Sequence, residues 1–203
     1  MIKKIHNFKF VIRNCQKGMT YVELIVVLSI FAVMSSIVLF NHGKFQAKVD
    51  IKNLANDIAL KIVQAQKDAM SGKIQTTPFK IAPAYGVYFN PTENKSFIYF
   101  ADFSNDHIFN DGSCYGECLD NINITKGNTI SKIEECLTLT EDCSSSASIS
   151  SSLSITFTRP NSGASFFPSL SVSSNYIRIT VSSSDGSFNG YIRVYPSGRI
   201  QVN

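Results

Sequence analysis

The chain has 203 residues, 44% of them apolar, with no Trp and with Tyr and Phe as the aromatic bulk, which is enough for one cored domain plus an anchor. Its net charge of +4 is unevenly placed: five of the 19 basic residues (Lys3, Lys4, Lys9, Arg13, Lys17) fall in residues 1–18, which hold no acid, leaving 14 against 15 acidic ones. The basic character therefore belongs to the N-terminal stretch, and bulk charge gives no ground for a DNA-binding face on the rest.

Residues 1–18 read as a targeting segment, but not as an ordinary secretory signal. Gly18 precedes the apolar run, and no small-x-small cleavage site follows Phe40. Leu24 to Phe40 carries no charge and only three polar residues, Ser29, Ser35 and Ser36. Counted from Met19, the stretch reaches the length of about 20 residues that a spanning helix needs. The cationic N-terminal flank stays cytoplasmic, which puts the C-terminal bulk outside. Glu23 is the one acid at the lip of this span. An unpaired carboxylate deep in a bilayer costs about 3 kcal/mol, so it needs a partner unless it sits at headgroup level, as in a plain signal anchor.

Lys17-Gly18-Met19-Thr20-x-x-Glu23-Leu24-Ile25-Val26-Val27 resembles the type III signal of type IV prepilins and type II secretion pseudopilins. The resemblance implies cleavage by a prepilin peptidase between Gly18 and Met19 and N-methylation of Met19. It also implies that Glu23, fifth in the mature chain, pairs with a neighbouring subunit's N-terminal ammonium to set axial register. Two departures stand out. Met19 replaces the commoner Phe, and Phe40 occupies the position where major pilins usually carry a kinking Pro, so no proline kink is expected.

Beyond the span, Ile51, Leu54, Ala55, Ile58, Ile62, Ala65 and Ala69 recur in steps of three and four, with charged residues over the other faces. This stripe predicts an amphipathic helix over 43–72 that packs on a sheet and stops near Ser71-Gly72, with Pro78 beyond. His42-Gly43 marks an expected flexible break where the helix leaves the bilayer.

From Tyr85 the pattern becomes strand-like. Tyr85–Phe89 and Ser96–Phe100 flank an Asn90-Pro91 turn and read as a hairpin. Asp102 to Gly112 follows as an acidic loop. Oxygen-bearing residues at 102, 104 and 106 faintly suggest calcium at Asp102 and Asp106, but the glycine and glutamate of a calcium loop are replaced by His107 and Ser113. We take the stretch as a solvated turn without a cofactor. Residues 112–143 carry Cys114, Cys118, Cys136 and Cys143 and read as an insert with little core, apart from strand-like Thr129–Ile133. C-x3-C followed by C-x6-C is poor zinc spacing, so two disulfides of open connectivity are expected, given a head outside the cytoplasm. Ser144–Ser152 is a serine-rich loop or a ragged strand start. Leu153–Thr158, Tyr176–Val181, Gly190–Tyr195 and Ile200–Val202 mostly alternate as half-buried antiparallel strands, the last two joined by Pro196-Ser197-Gly198-Arg199.

The Gly86-led aromatic strand, the acidic loop after Phe100-Ala101-Asp102 and the terminal Tyr191–Val202 segment resemble GspH/FimT-type minor pilins and pseudopilins. That likeness implies antiparallel sheets packed on the N-terminal helix. The expected fold is α+β: a leader (1–18), a transmembrane assembly helix (19–42), an amphipathic helix (43–72) and a β-rich head (73–203).

No catalytic set is visible, since His6, His42 and His107 fall in the leader, the membrane exit and a loop, and no hydrolase, metalloprotease or phosphate-loop motif occurs. The sequence thus reads as a non-enzymatic minor pilin or pseudopilin of the cytoplasmic membrane, structural or assembly-initiating. Its expected partners are other pilin subunits, a prepilin peptidase, an inner-membrane assembly platform and the lipid bilayer. One alternative is a minor pilin that captures DNA through Arg178, Arg193 and Arg199, whose bland reading is a set of solvated strand faces. The other is a membrane-anchored protein that never polymerises.

Overall fold

The computed structural model describes residues 18–74, 82–110, 116–137, 143, 145–171 and 174–203, with no side chains given for 38–41. The chain divides into two compact units, residues 1–43 and 44–203. Helix α1 (Tyr21–Met70) is 50 residues long. His42 and Gly43, where a flexible break is expected, are helical, and the boundary between the two units falls just after Gly43. The helix contains no proline to remove a backbone donor, and a single interior glycine costs only about 1 kcal/mol relative to alanine. α1 ends where the sequence predicts. Gly72 takes a left-handed φ of +63°. Its N–H donates to Ala69 O at 3.0 Å and the Lys73 N–H to Asp68 O at 3.1 Å, the paired bonds of a glycine-stopped helix.

Among the described residues ten strands follow: β1 (Ala84–Phe89), β2 (Ser96–Asp102), β3 (Cys118–Asn123), β4 (Thr129–Cys136), β5 (Ser146–Ser148), β6 (Leu153–Phe157), β7 (Ala164–Phe167), β8 (Tyr176–Ser182), β9 (Asn189–Val194) and β10 (Ile200–Val202). They form two five-stranded sheets, in the orders β3-β2-β1-β6-β7 and β10-β9-β8-β4-β5. All pairings are antiparallel. Ile51, Ala55, Ile58, Ile62, Ala65 and Ala69 of α1 are each at most 2% exposed. They share one core with Val87 and Ile155 of the first sheet and Ile179 and Ile192 of the second. Fully burying each isoleucine contributes about 2 kcal/mol. The fold is α+β, as the alternation and the helical stripe predict.

Two head segments differ from expectation. Within 112–143, the described residues 116–137 are no coreless insert: β3 edges the first sheet, and β4 lies inside the second, between β8 and β5. Strict alternation fails in β4 because a bulge lies between Ile130 and Lys132. The extra residue lets Ile130 and Ile133, three apart, both point to the core. The serine-rich segment is likewise ordered in part, as β5.

The acidic loop is solvated only in part, with Ser104, Asn105, Asp106 and Asn110 exposed. Asp102 is fully buried. Its carboxylate accepts from Ser104 Oγ (3.0 Å) and from the N–H groups of Asn105 (2.6 Å) and His107 (2.8 Å). Glu117 accepts from the N–H groups of Phe103 (3.2 Å) and Asn110 (3.0 Å). His107 Nδ1 lies 2.9 Å from Thr156 Oγ1, and Phe109 packs on Tyr88 and Phe100. The loop therefore closes over the outer face of β1 and β2, which explains why those strands are buried on both faces. The Asp102 oxygens suspected of facing calcium face N–H and O–H donors instead, and the Asp106 carboxylate accepts from Ile108 N (2.9 Å) and Asn110 Nδ2 (2.9 Å).

Candidate functional site

The N-terminal segment is built from its first turn. Gly18, Met19 and Thr20 precede the helix, and Tyr21 begins it. Thr20 Oγ1 accepts the Glu23 N–H at 3.3 Å, and Thr20 O accepts the Leu24 N–H at 3.2 Å. Thr20 is thus the helix cap, and Glu23 stands at the third helical position, a Thr-x-x-Glu arrangement. The carboxylate also sits in the first turn, where the helix dipole favours negative charge. This capping geometry was legible in the sequence spacing, although the reading above gave Thr20 no role.

Every apolar side chain from Tyr21 to Val33 is exposed, from 45% at Leu24 to 78% at Tyr21. The apolar surface runs all round the helix rather than down one face. Ser29 meets its own hydroxyl requirement by donating to Val26 O at 2.8 Å. α1 is long and apolar enough to cross a membrane near its N-terminus. A helix apolar on all sides needs lipid or other helices around it.

The head brings together some expected residues and not others. Cys136 and Cys143 are bonded to each other, with Cα atoms 5.3 Å apart. They are buried against Tyr176, with Tyr195 packed alongside, and their mutual bond removes both as zinc ligands. Cys118 is also disulfide-bonded. Cys114 lies outside the described residues, as does the leader up to residue 17.

Arg178 and Arg193 alternate with core residues of β8 and β9 and so share the face turned away from α1, and with Arg199 in the turn before β10 they form no open basic strip. Arg178 binds Glu134 through Nη2 at 2.7 Å and Nε at 3.1 Å. Glu134 is 2% exposed and also pairs with Lys132 at 2.7 Å. Burial pushes the Glu134 carboxyl up, but the hydrogen bonds from Lys132, Arg178 and Ser146 outweigh it and hold it below the usual range. Arg193 is 6% exposed, its guanidinium 5.8 Å from the Tyr176 ring centre. Arg199 is exposed and stacks 3.8 Å above the Tyr195 ring.

Comparison with protein families matches residues 13–39 to the prokaryotic N-terminal methylation motif. Neither the curated proteins nor the solved structures give a match to the chain. The motif indicates a type IV pilin-like protein. Such proteins are structural rather than enzymatic, are handled by a prepilin peptidase and assemble with other pilins. With the exposed apolar helix that follows it, the motif points to membrane anchoring.

Proposed function

We propose that the protein is a minor pilin or pseudopilin of GspH/FimT type, a structural or assembly-initiating subunit of a type IV pilus or type II secretion-like filament. The observation that carries this reading is the methylation motif leading directly into a helix exposed and apolar on every side. Prepilin peptidase cuts between Gly18 and Met19, and Met19 is N-methylated. The Glu23 carboxylate, at the third helical position, then pairs with the Met19 ammonium of a neighbouring subunit. The lack of a proline in α1 and the two-sheet head support a minor rather than a major subunit. The disulfides support a head on the oxidising, extracytoplasmic side with the N-terminus cytoplasmic. DNA capture draws less support, because Arg178 is committed to Glu134 and Arg193 is buried.

Mass spectrometry of the mature N-terminus, from cells that make a prepilin peptidase, tests the reading directly. N-methyl-Met19 is the expected first residue; an intact Met1 in the membrane-assembled protein overturns it.

A further inference from the structure

Where α1 leaves its apolar stretch, Lys44, Lys48 and Lys52 follow at steps of four residues and so lie on one helical face. All three are exposed. Among the described residues, none of them pairs with a carboxylate, whereas Lys61, further along the same helix, binds Asp120 at 2.9 Å. The intervening acid, Asp50, is engaged elsewhere, by Lys126 at 2.6 Å and Gln46 at 3.0 Å. This leaves a run of uncompensated cations.

Lys48 and Lys52 also line a cavity of about 330 Å³ whose walls are mainly apolar, formed with Ile51, Phe188, Gly190 and Val202. Gly190 lets the sheet pack directly on the helix at the cavity's edge. A Cβ there would lie 3.1 Å from Ile51 Cγ2 and 3.3 Å from Ala55 Cβ, so the sheet already approaches the helix as closely as it can. Cavities of this size and lining suit a small amphipathic molecule. Two ammonium groups at the rim add a demand for negative charge.

We propose that this cavity is a binding site for an anionic phospholipid, with Lys48 and Lys52 holding the phosphate and Ile51, Phe188 and Val202 receiving the upper acyl chain. The occupant follows from position and charge together. Only four residues of chain separate Gly43 from Lys48, so a protein anchored through the preceding apolar run meets lipid as the nearest amphipathic anion. A lysine ammonium that reaches a lipid phosphate makes a charge-assisted hydrogen bond, stronger than a neutral one. The inference rests on the membrane-anchor reading.

The test uses the full chain in nanodiscs and, separately, in neutral detergent titrated with dioleoyl phosphatidylglycerol or phosphatidylcholine and read by native mass spectrometry. Phosphatidylglycerol should bind about tenfold or more tightly than phosphatidylcholine. Lys48→Gln with Lys52→Gln should remove most of that preference. Asn56→Trp, at an exposed helix position on the cavity wall, fills the space without changing charge and should weaken phosphatidylglycerol to a similar extent. Lys67→Gln, exposed in the last turn of α1, should change nothing. Equal binding of the two lipids overturns the site, as does full binding by the double lysine variant. Unchanged binding by Asn56→Trp, or equal competition by glycerol 3-phosphate, also overturns it, since surface charge alone then suffices. Failure to insert into phosphatidylcholine nanodiscs would instead overturn the anchor reading, which separates the two.

Discussion

Glu23 has two jobs to choose between, capping its own helix and pairing with another subunit, and three substitutions separate them. Thr20→Ala removes the hydroxyl that accepts the Glu23 N–H at 3.3 Å and should cost about 1 kcal/mol at the helix start. Glu23→Gln keeps a side chain able to serve a capping box and loses only the charge, worth about 0.3–1 kcal/mol against the helix dipole. Pairing with a neighbour's ammonium is a larger quantity. At about 4 Å and an effective dielectric of about 20, the attraction is about 4 kcal/mol, opposed by desolvation of both charges. If half survives, it still changes an assembly equilibrium by roughly thirtyfold. Glu23→Gln and Glu23→Ala should therefore insert normally yet fall at least tenfold in filament incorporation, while Thr20→Ala stays within a few-fold of the parent. Membrane fractionation reports insertion, and quantitative blotting of cross-linked filaments reports incorporation. Wild-type incorporation of Glu23→Gln, or an equal defect in Thr20→Ala, would refute the pairing role and leave Glu23 as a cap.

The head yields four further predictions, each readable by unfolding the full chain in detergent. Arg178→Ala leaves the buried Glu134 with only Lys132 and the Ser146 hydroxyl and should cost about 2 kcal/mol, whereas Arg199→Ala at the surface should stay within about 0.5 kcal/mol; equal, small effects would show that the Glu134 site does not need its arginine. Gly198→Ala forces a side chain into a φ of +83°, with its Cβ 2.0 Å from Ser162 O and 2.6 Å from the Gln66 amide, and should cost at least about 2 kcal/mol; a neutral result would mean the turn is not held as described. Replacing Cys136 and Cys143 by Ser opens a short loop and should cost about 2 kcal/mol, and an unchanged unfolding midpoint would count against the bridge. For Asp68, burial pushes the carboxyl up, but hydrogen bonds from Lys73 (2.7 Å) and Tyr99 (2.6 Å) outweigh it and lower it overall. A lowered folded value gives stability that is present above the unfolded value near 4 and lost as the pH falls below it, so Asp68→Asn should flatten the acid limb of the melting profile; an identical limb would refute the assignment.

The α+β class was legible because two periodicities carry it. The helical stripe from Ile51 to Ala69 and the alternation of β8 and β9 both survive as the core. What escaped the sequence lies where side chains from distant segments cover a surface. Asp102 reads as a polar loop residue, because nothing local shows that Phe109 and His107 will fold the loop back over β1 and β2. The bulge after Ile130 breaks a period of two, so β4 looked irregular although it is an interior strand. Arg178 looked like a free cation because its partner, Glu134, is 44 residues away in sequence. The N-terminal segment is the opposite case: leader charge, Gly18, Thr20, Glu23 and the apolar run are consecutive, so adjacency alone made it readable.

That contrast bears on how assembly gains its specificity. Between Tyr21 and Ile37 the only charged residue is Glu23, and the apolar side chains around it offer no preferred face. Inside a bilayer, contact with a neighbouring helix competes with contact with lipid tails, so a surface apolar all round gives little reason for one axial position over another. Of the three serines, Ser29 already bonds to its own helix. The pairing proposed for Glu23 would supply the missing register, because its carboxylate is costly unpaired and a neighbour's N-terminus would satisfy it at one offset. The head holds its own helix segment through a striped core, so it can vary without touching that rule.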